Sequence, residues 1–118
     1  MATKSYVYSK MIKISRGDMS LLRAGKKSCT VRLGNASVGA PEIEMSDGRT
    51  SVRVLITKVD NSRTFEELTD SDAMAEGFCS REELLLDLRK YYPRVSAKDQ
   101  VTVISFQLVA QTDTLFPS

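Results

Sequence analysis

The stretch AGKKSCTVR, residues 24–32, carries a clear strand pattern, because polar and apolar side chains alternate in its second half. Alternation with a period of two is typical of a strand that buries one face. Cys29 and Val31 fall on one face, and Thr30 and Arg32 fall on the other. The apolar face explains the packing, which leaves the polar face to line a ligand pocket. An edge strand with an ordinary polar outer face explains the same alternation.

Lys27 precedes this strand, at a point where the backbone is predicted to bend. Residues 19–24 are predicted to form a short helix with Asp18 as its N-cap, and Gly25 stands where helices commonly end. On a regular strand, Lys27 and Thr30 would point to opposite faces. The two side chains can therefore converge only if Lys27 lies in the bend after Gly25.

The remainder of the chain predicts strands and helices that do not alternate regularly, which favours an α+β fold over a doubly wound sheet. Tyr91 and Tyr92 end an apolar helical stripe, and their spacing favours packing in the core over the alternative that they stack on a base. The closing strand is apolar on both faces and is predicted to be central. The predicted elements are a loop over residues 34–41, a hairpin over residues 42–59, helices starting at Thr64, Thr69 and Ser80, and a strand over residues 101–109.

Composition predicts one domain. The chain has 118 residues, a length typical of one domain, and 42% of them are hydrophobic, which is enough to form one core. Because the chain has only two cysteines, this core is not expected to depend on disulfides. Residues 1–9 and 110–118 are predicted to be flexible ends of a single domain over residues 10–109. Neither a signal peptide nor a membrane span is recognisable, so we expect a cytoplasmic protein with free thiols and no membrane partner.

The charges are distributed unevenly. Residues 1–32 contain eight basic side chains and one acidic one, whereas the rest of the chain is acidic overall. A basic segment raises the local concentration of a phosphate-bearing partner, which makes RNA one candidate partner. A solvated surface accounts for the same distribution.

The absence of histidine restricts the chemistry more than any other feature of the composition. Ser-His-Asp and Cys-His catalytic arrangements are excluded, as are His-ligated zinc and iron sites. Two isolated cysteines do not predict a structural zinc, so we expect neither a metal nor a cofactor. Acid–base chemistry has to come from Glu, Asp, Lys, Tyr, Cys or Thr.

Glu76 ends a predicted short helix in the segment MAEGF, residues 74–78. A carboxylate gains nothing from the helix dipole at this end, so a purely structural role explains it only if it is exposed to solvent. Burial would raise the pKa of Glu76, and a neighbouring lysine would lower it. A general-base role is therefore open.

The stretch AGKKSCTVR resembles the signature of ASCH domains, a branch of the PUA-like β-barrels, in which Gly precedes Lys-Thr/Ser, then Thr or Glu, then Arg. Several collinear motifs are more specific than one short pattern. The resemblance spans about residues 11–108 and implies a small barrel of about five to six strands with helices on its side. Further segments that match in order are residues 65–73 (FEELTDSDA), Glu76-Gly77, Tyr91-Tyr92-Pro93 and residues 103–106.

Within this family, the chain is most similar to the small bacterial N4-acetylcytidine amidohydrolases. The resemblance implies that Lys27, Thr30 and Glu76 are catalytic, with Arg32 and Ser28 predicted to bind the substrate. The substrate would be a modified nucleoside, cleaved to cytidine and acetate by a monomer or weak dimer. A non-catalytic RNA-binding module is the alternative, and a ribonuclease is a third.

Amide hydrolysis can be assembled from these side chains without histidine. Thr30 Oγ1 is the expected nucleophile. Lys27 either acts as a base or stabilises the oxyanion. Glu76 either relays a proton to the leaving amine or positions a water, and Arg32 either orients Thr30 or holds the base or a phosphate.

Overall fold

The computed structural model describes residues 5–110 of the chain, which form seven strands, three α-helices and one 3-10 turn. The elements in chain order are β1 (Ser5–Tyr8), β2 (Met11–Lys13), α1 (Arg16–Arg23), β3 (Cys29–Leu33), β4 (Asn35–Val38), β5 (Glu42–Ser46), β6 (Ser51–Thr64), the 3-10 turn (Phe65–Glu67), α2 (Asp70–Glu76), α3 (Arg81–Tyr91) and β7 (Gln100–Ala110).

The main sheet has five strands in the order β2-β5-β6-β7-β3. Its β2–β5 pair is parallel and its other pairs are antiparallel. Two strands, β1 and β4, form a separate parallel pair. The predicted α+β class is confirmed. Backbone pairing among the described residues leaves the main sheet open, with β2 and β3 at its edges, so the predicted barrel closure is not seen in this pairing.

The last strand, β7, lies between β6 and β3, which confirms its predicted central position, and two hydrophobic clusters share it. The first core cluster packs α1 against the sheet, and the second core cluster packs α2 and α3 against β3 and β7. Buried members of the first cluster include Met19, Leu22, Met45, Val54, Ile104 and Phe106, and those of the second include Val31, Ala73, Leu84, Leu88, Val101 and Val103.

Two segments that the sequence assigned to irregular structure pair with each other. Ser5 aligns with Asn35, and Tyr8 aligns with Val38. The prediction of a flexible end over residues 1–9 is therefore wrong for residues 5–8, and the loop predicted over residues 34–41 contains β4. The strand count is seven, above the expected five to six. Parallel pairing between remote segments leaves no local sequence pattern, which explains why it was missed.

Helix α1 begins earlier than predicted. Ser15, in extended conformation, is the N-cap, and its hydroxyl oxygen accepts a hydrogen bond from the Asp18 backbone N–H at 3.0 Å. The predicted N-cap Asp18 instead lies in the first turn, where a carboxylate is favourable to the helix dipole. At the other end of the chain, residues 111–118 of the predicted tail lie outside the described residues, and Ala110 ends β7.

Within residues 5–110, no helix is both long enough and apolar enough to cross a bilayer.

Candidate functional site

A tight bend after α1 turns Lys27 inward. Gly25 has a φ of 76°, a left-handed conformation that side chains disfavour. The Lys26 N–H donates to the Leu21 carbonyl at 2.8 Å, and the Gly25 N–H donates to the Leu22 carbonyl at 3.1 Å. This pair of bonds is a Schellman motif, which reverses the chain direction. Lys27 follows in irregular structure and is 3% exposed, so the bend required by the sequence is present.

The end of α2 repeats this motif and presents Glu76. Gly77 has a φ of 97°, and the Phe78 N–H donates to the Ala73 carbonyl at 2.8 Å. A Cβ atom on Gly77 would lie only 2.9 Å from Leu21 Cδ1. The C-terminal ends of α1 and α2 therefore lie directly against each other, which brings Lys27 and Glu76 together although 49 residues separate them in the chain.

Lys27 and Glu76 form a buried ion pair, in which Lys27 Nζ donates to Glu76 Oε1. The other carboxylate oxygen, Oε2, accepts the Val31 backbone N–H at 2.7 Å. Because β3 is an edge strand, it has backbone N–H groups that no neighbouring strand can bond, and Glu76 satisfies the one at Val31. Burial raises the pKa of the Glu76 carboxyl, and the Lys27 ammonium and the Val31 N–H partly offset that rise.

Thr30 immediately precedes Val31 and is buried, with its hydroxyl oxygen accepting a hydrogen bond from Arg32 Nε at 3.1 Å. The Arg32 guanidinium also donates to the Lys13 carbonyl at 2.9 Å and lies 5.7 Å from the centre of the Tyr8 ring. These three contacts fix Arg32 over Thr30. Since Arg32 donates to the Thr30 oxygen, the hydroxyl proton of Thr30 has to point elsewhere.

A cavity of about 370 Å³ opens over this arrangement and is lined by Thr30, Arg32 and Glu76 among others. Lys27 does not line the cavity, but its Nζ contacts Glu76, which does. The volume lies within the range of about 300–1,000 Å³ typical of small-molecule sites. β3 is thus an edge strand, but Thr30 on its polar face is buried at the cavity, so this face is a cavity wall and not an ordinary outer face.

Two carboxylates of the cavity were not predicted as site residues, and an exposed tyrosine of the cavity was predicted to pack in the core. Asp18 and Asp87 line the cavity, and burial together with the charge of Asp18 raises the pKa of Asp87. Asp87 and Tyr91 are four residues apart and share one face of α3, a signal that could have identified both. Tyr91 is exposed beside the cavity, so its predicted core position is wrong. Tyr92 is half-buried and packs against the second core cluster while it also lines the cavity.

Ser28 is not among the residues that line the cavity, and its substrate-binding role stays a prediction. Its side chain is exposed, and its backbone carries its contacts. The Ser28 N–H donates to the Ala75 carbonyl at 2.7 Å, and its carbonyl accepts the Phe106 N–H at 2.9 Å. The backbone of Ser28 therefore connects the bend after α1 to α2 and to β7 by hydrogen bonds.

Cys29 is buried in the second core cluster, as predicted from its position on the apolar face. Burial, followed by the charge of Glu76, raises the pKa of its thiol to about 12. Within residues 5–110, no group of three or more cysteine or carboxylate side chains is arranged to hold a metal ion.

Comparison with known proteins yields one structural likeness. No family model matches this chain, and no curated protein matches it. The crystal structure of the hypothetical protein PH0355 superimposes with a TM-score of 0.65 at 18% identity, over 86% of this chain and 100% of that one. At this identity, the likeness establishes a shared fold and carries no information about activity.

Proposed function

We propose that this chain is an ASCH domain of the PUA-like type that hydrolyses the amide bond of N4-acetylcytidine or a related N4-acylated cytosine derivative. The products are cytidine and acetate. The observation that carries this proposal is the buried Lys27–Glu76 pair at a cavity that also contains Thr30. The substrate class is inferred from the collinear motifs of the sequence. The reaction type is supported by the ionisable and hydroxyl side chains at the cavity.

The burial of the Lys27–Glu76 pair favours a catalytic role over a structural one. Removing both charges from water costs more than their attraction commonly returns, so such a pair is a poor way to stabilise a fold. Ionisable groups that are buried, paired and placed at a cavity are typical of active sites. A carboxyl whose pKa is raised by burial is also well suited to accept and return a proton near neutral pH.

Thr30 Oγ1 is the proposed nucleophile. The oxygen attacks the acetyl carbonyl carbon while its proton passes to the Glu76 carboxylate. The proton then moves to the N4 atom of cytosine as the C–N bond breaks, leaving an acetyl ester on Thr30 that water hydrolyses to acetate. Arg32, which donates to Oγ1, stabilises negative charge on that oxygen, and Lys27 acts through Glu76 by holding the carboxylate in place.

The other side chains of the cavity suit an uncharged nucleoside. Tyr91 and Tyr92 offer aromatic surface on which a base can stack. The Asp18 and Asp87 carboxylates can accept hydrogen bonds from ribose hydroxyls, and their negative charge opposes a phosphate at the same position.

Cytidine release from N4-acetylcytidine, followed by chromatography, tests the proposal. We expect Glu76→Gln to lower kcat/KM by about 10²–10⁴-fold, the usual contribution of a positioned proton-transfer group. Lys27→Met should also lower kcat/KM, because the Glu76 carboxylate loses the ammonium that holds it in place. Glu42→Gln is the matched control, because Glu42 is an exposed carboxylate paired with Arg53 on the sheet. Absence of turnover in the wild type would refute the amidohydrolase, and unchanged turnover in Glu76→Gln would refute the proton-transfer role of Glu76.

An RNA-binding module without catalysis is the second candidate. Exposed basic side chains before, at the start of and after α1 favour it, because they can neutralise backbone phosphates. In that case the protein binds RNA with an affinity that falls steeply with salt, and N4-acetylcytidine is not consumed. The exposed basic residues concerned are Lys10, Lys13, Arg16 and Lys26.

A further inference from the structure

A β-bulge in β6 sets the direction of Arg63. Asp60 aligns with Val103 and Arg63 aligns with Val101, so three steps along β6 match two steps along β7. Ser62 closes the bulge by donating from its N–H and its hydroxyl to Asp60 Oδ1, at 3.0 and 2.6 Å. An extra residue of this kind bends a strand and redirects the side chains beside it.

Arg63 and Asp72 are joined by two parallel hydrogen bonds. Arg63 Nη1 lies 2.6 Å from Asp72 Oδ2, and Nη2 lies 2.8 Å from Oδ1. Their side chains are 24% and 12% exposed, so water screens the pair only weakly. A bidentate fork fixes both the distance and the angle between its partners, which a single point charge does not.

Asp72 is anchored at the start of α2 and shares a helical face with Glu76. Its Oδ2 accepts the Thr69 N–H at 2.8 Å and the Thr69 hydroxyl at 3.0 Å, which forms a capping box. Residues four apart in a helix lie above one another, so Asp72 and Glu76 share one face of α2. On that face, Asp72 contacts Arg63 of β6 and Glu76 contacts Val31 of β3. α2 has only seven residues and cannot be stable without such external contacts.

We propose that Arg63 is a positioning residue for Glu76. Its fork holds Asp72, Asp72 holds the register of α2, and that register lets the Glu76 carboxylate reach Lys27 Nζ and the Val31 N–H together. The effect on catalysis rests on the proposed amidohydrolase function, whereas the effect on the Glu76–Val31 hydrogen bond does not.

Arg63→Met tests this inference against Arg53→Met, a matched control in the same strand whose ion pair with Glu42 is exposed. In the NMR spectrum of Arg63→Met, we expect the Val31 amide proton to move upfield and to exchange with solvent at least about tenfold faster, because it loses its carboxylate acceptor. In Arg53→Met, the Val31 signal stays in place. Arg63→Lys keeps the charge without the fork and falls between Arg63→Met and the wild type.

Kinetics supply the second readout. We expect kcat for N4-acetylcytidine to fall by about 10–100-fold in Arg63→Met, with little change in KM, because a misplaced catalytic group slows chemistry more than binding. A wild type that does not turn over refutes the proposed function, while the Val31 signal still decides the positioning role.

Two milder variants keep the inference testable if Arg63→Met does not fold. They are Arg63→Lys and Asp72→Asn, the latter keeping an oxygen for the Thr69 cap. An unchanged Val31 shift and exchange rate in any folded variant that breaks the fork overturns the positioning role.

Discussion

At the scale of single residues, the site depends on the two hydrogen-bond partners of the Glu76 carboxylate oxygens. Oε1 accepts a hydrogen bond from the Lys27 ammonium and Oε2 accepts one from the Val31 N–H, so each oxygen of the buried carboxylate has a hydrogen-bond partner. The lysine has this carboxylate as its charged partner and is almost completely excluded from water. Each of the two charges is therefore tolerable only while the other is present.

The first prediction concerns this mutual dependence. Lys27→Met and Glu76→Gln should each lower the free energy of unfolding by roughly 3–5 kcal/mol, because each leaves a buried polar group without its partner. The double variant Lys27→Met/Glu76→Gln should lose less than the sum of the two. Urea unfolding followed by circular dichroism at pH 7 measures all four proteins, and strictly additive losses would contradict the coupling.

Local alternation in the sequence predicted which face Thr30 and Arg32 occupy, because a strand repeats every two residues. It also predicted that Lys27 needs a bend. Alternation could not predict that Arg32 uses its donors on Thr30 and the Lys13 carbonyl. These contacts depend on β2 lying near β3, and nothing in the local sequence encodes that proximity.

At the scale of elements, two helix ends create the site. α1 and α2 both finish in a left-handed glycine, and both then reverse direction. The surroundings of the two glycines differ, because a Cβ on Gly25 would meet nothing within 4 Å, whereas one on Gly77 would press on Leu21.

The second prediction compares these glycines. Gly25→Ala should cost about 1–2 kcal/mol of unfolding free energy, since alanine is strained in the left-handed conformation. Gly77→Ala should cost more, because the same strain is joined by a contact 2.9 Å from Leu21 Cδ1. Gly77→Ala should also shift the Val31 amide signal, because Glu76 is its immediate neighbour. Equal losses in the two variants, measured by urea unfolding, would contradict the close packing of α1 and α2.

The start and the end of a helix were predictable where an N-cap residue precedes it and a glycine follows it. α2 is such a helix, with Thr69 as its N-cap and Gly77 after its last residue. The start of α1 was misplaced by three residues because Ser15 and Asp18 are both competent N-caps. Strands β1 and β4 were missed because their partners lie about thirty residues away.

At the scale of the whole molecule, β7 unites the structure. Side chains on its two faces pack in the two core clusters. Thr102, also in β7, connects the main sheet to the segment that contains β4. The Thr102 hydroxyl accepts the Ala36 N–H at 2.9 Å and donates to the Gly34 carbonyl at 2.7 Å. Thr102 is completely buried, so these two backbone groups depend on its hydroxyl.

The third prediction concerns this link. Thr102→Val should lower the free energy of unfolding by about 1–3 kcal/mol, because it leaves a buried N–H and a buried carbonyl unpaired. Thr102→Ser keeps the hydroxyl, and the lost methyl group should cost only about 1 kcal/mol. Thermal and urea unfolding of both variants provide the measurement. A valine variant as stable as the serine variant would show that the hydroxyl does not link the sheets.

The order of strands and helices was sufficient to predict the α+β class, which the described residues and the likeness to PH0355 both bear out. The order of the strands in the sheet could not be predicted from the sequence, because antiparallel partners such as β3 and β7 are far apart in the chain and pair only through long-range contacts.

Cytidine release by Thr30→Ala, beside Thr30→Ser and the wild type, tests the central claim that the Thr30 hydroxyl performs the reaction at the Lys27–Glu76 pair. Loss of a nucleophile commonly lowers kcat by about a thousandfold or more, and we expect this for Thr30→Ala, with Thr30→Ser retaining most of the activity. A Thr30→Ala protein that releases cytidine at the wild-type rate would contradict the claim.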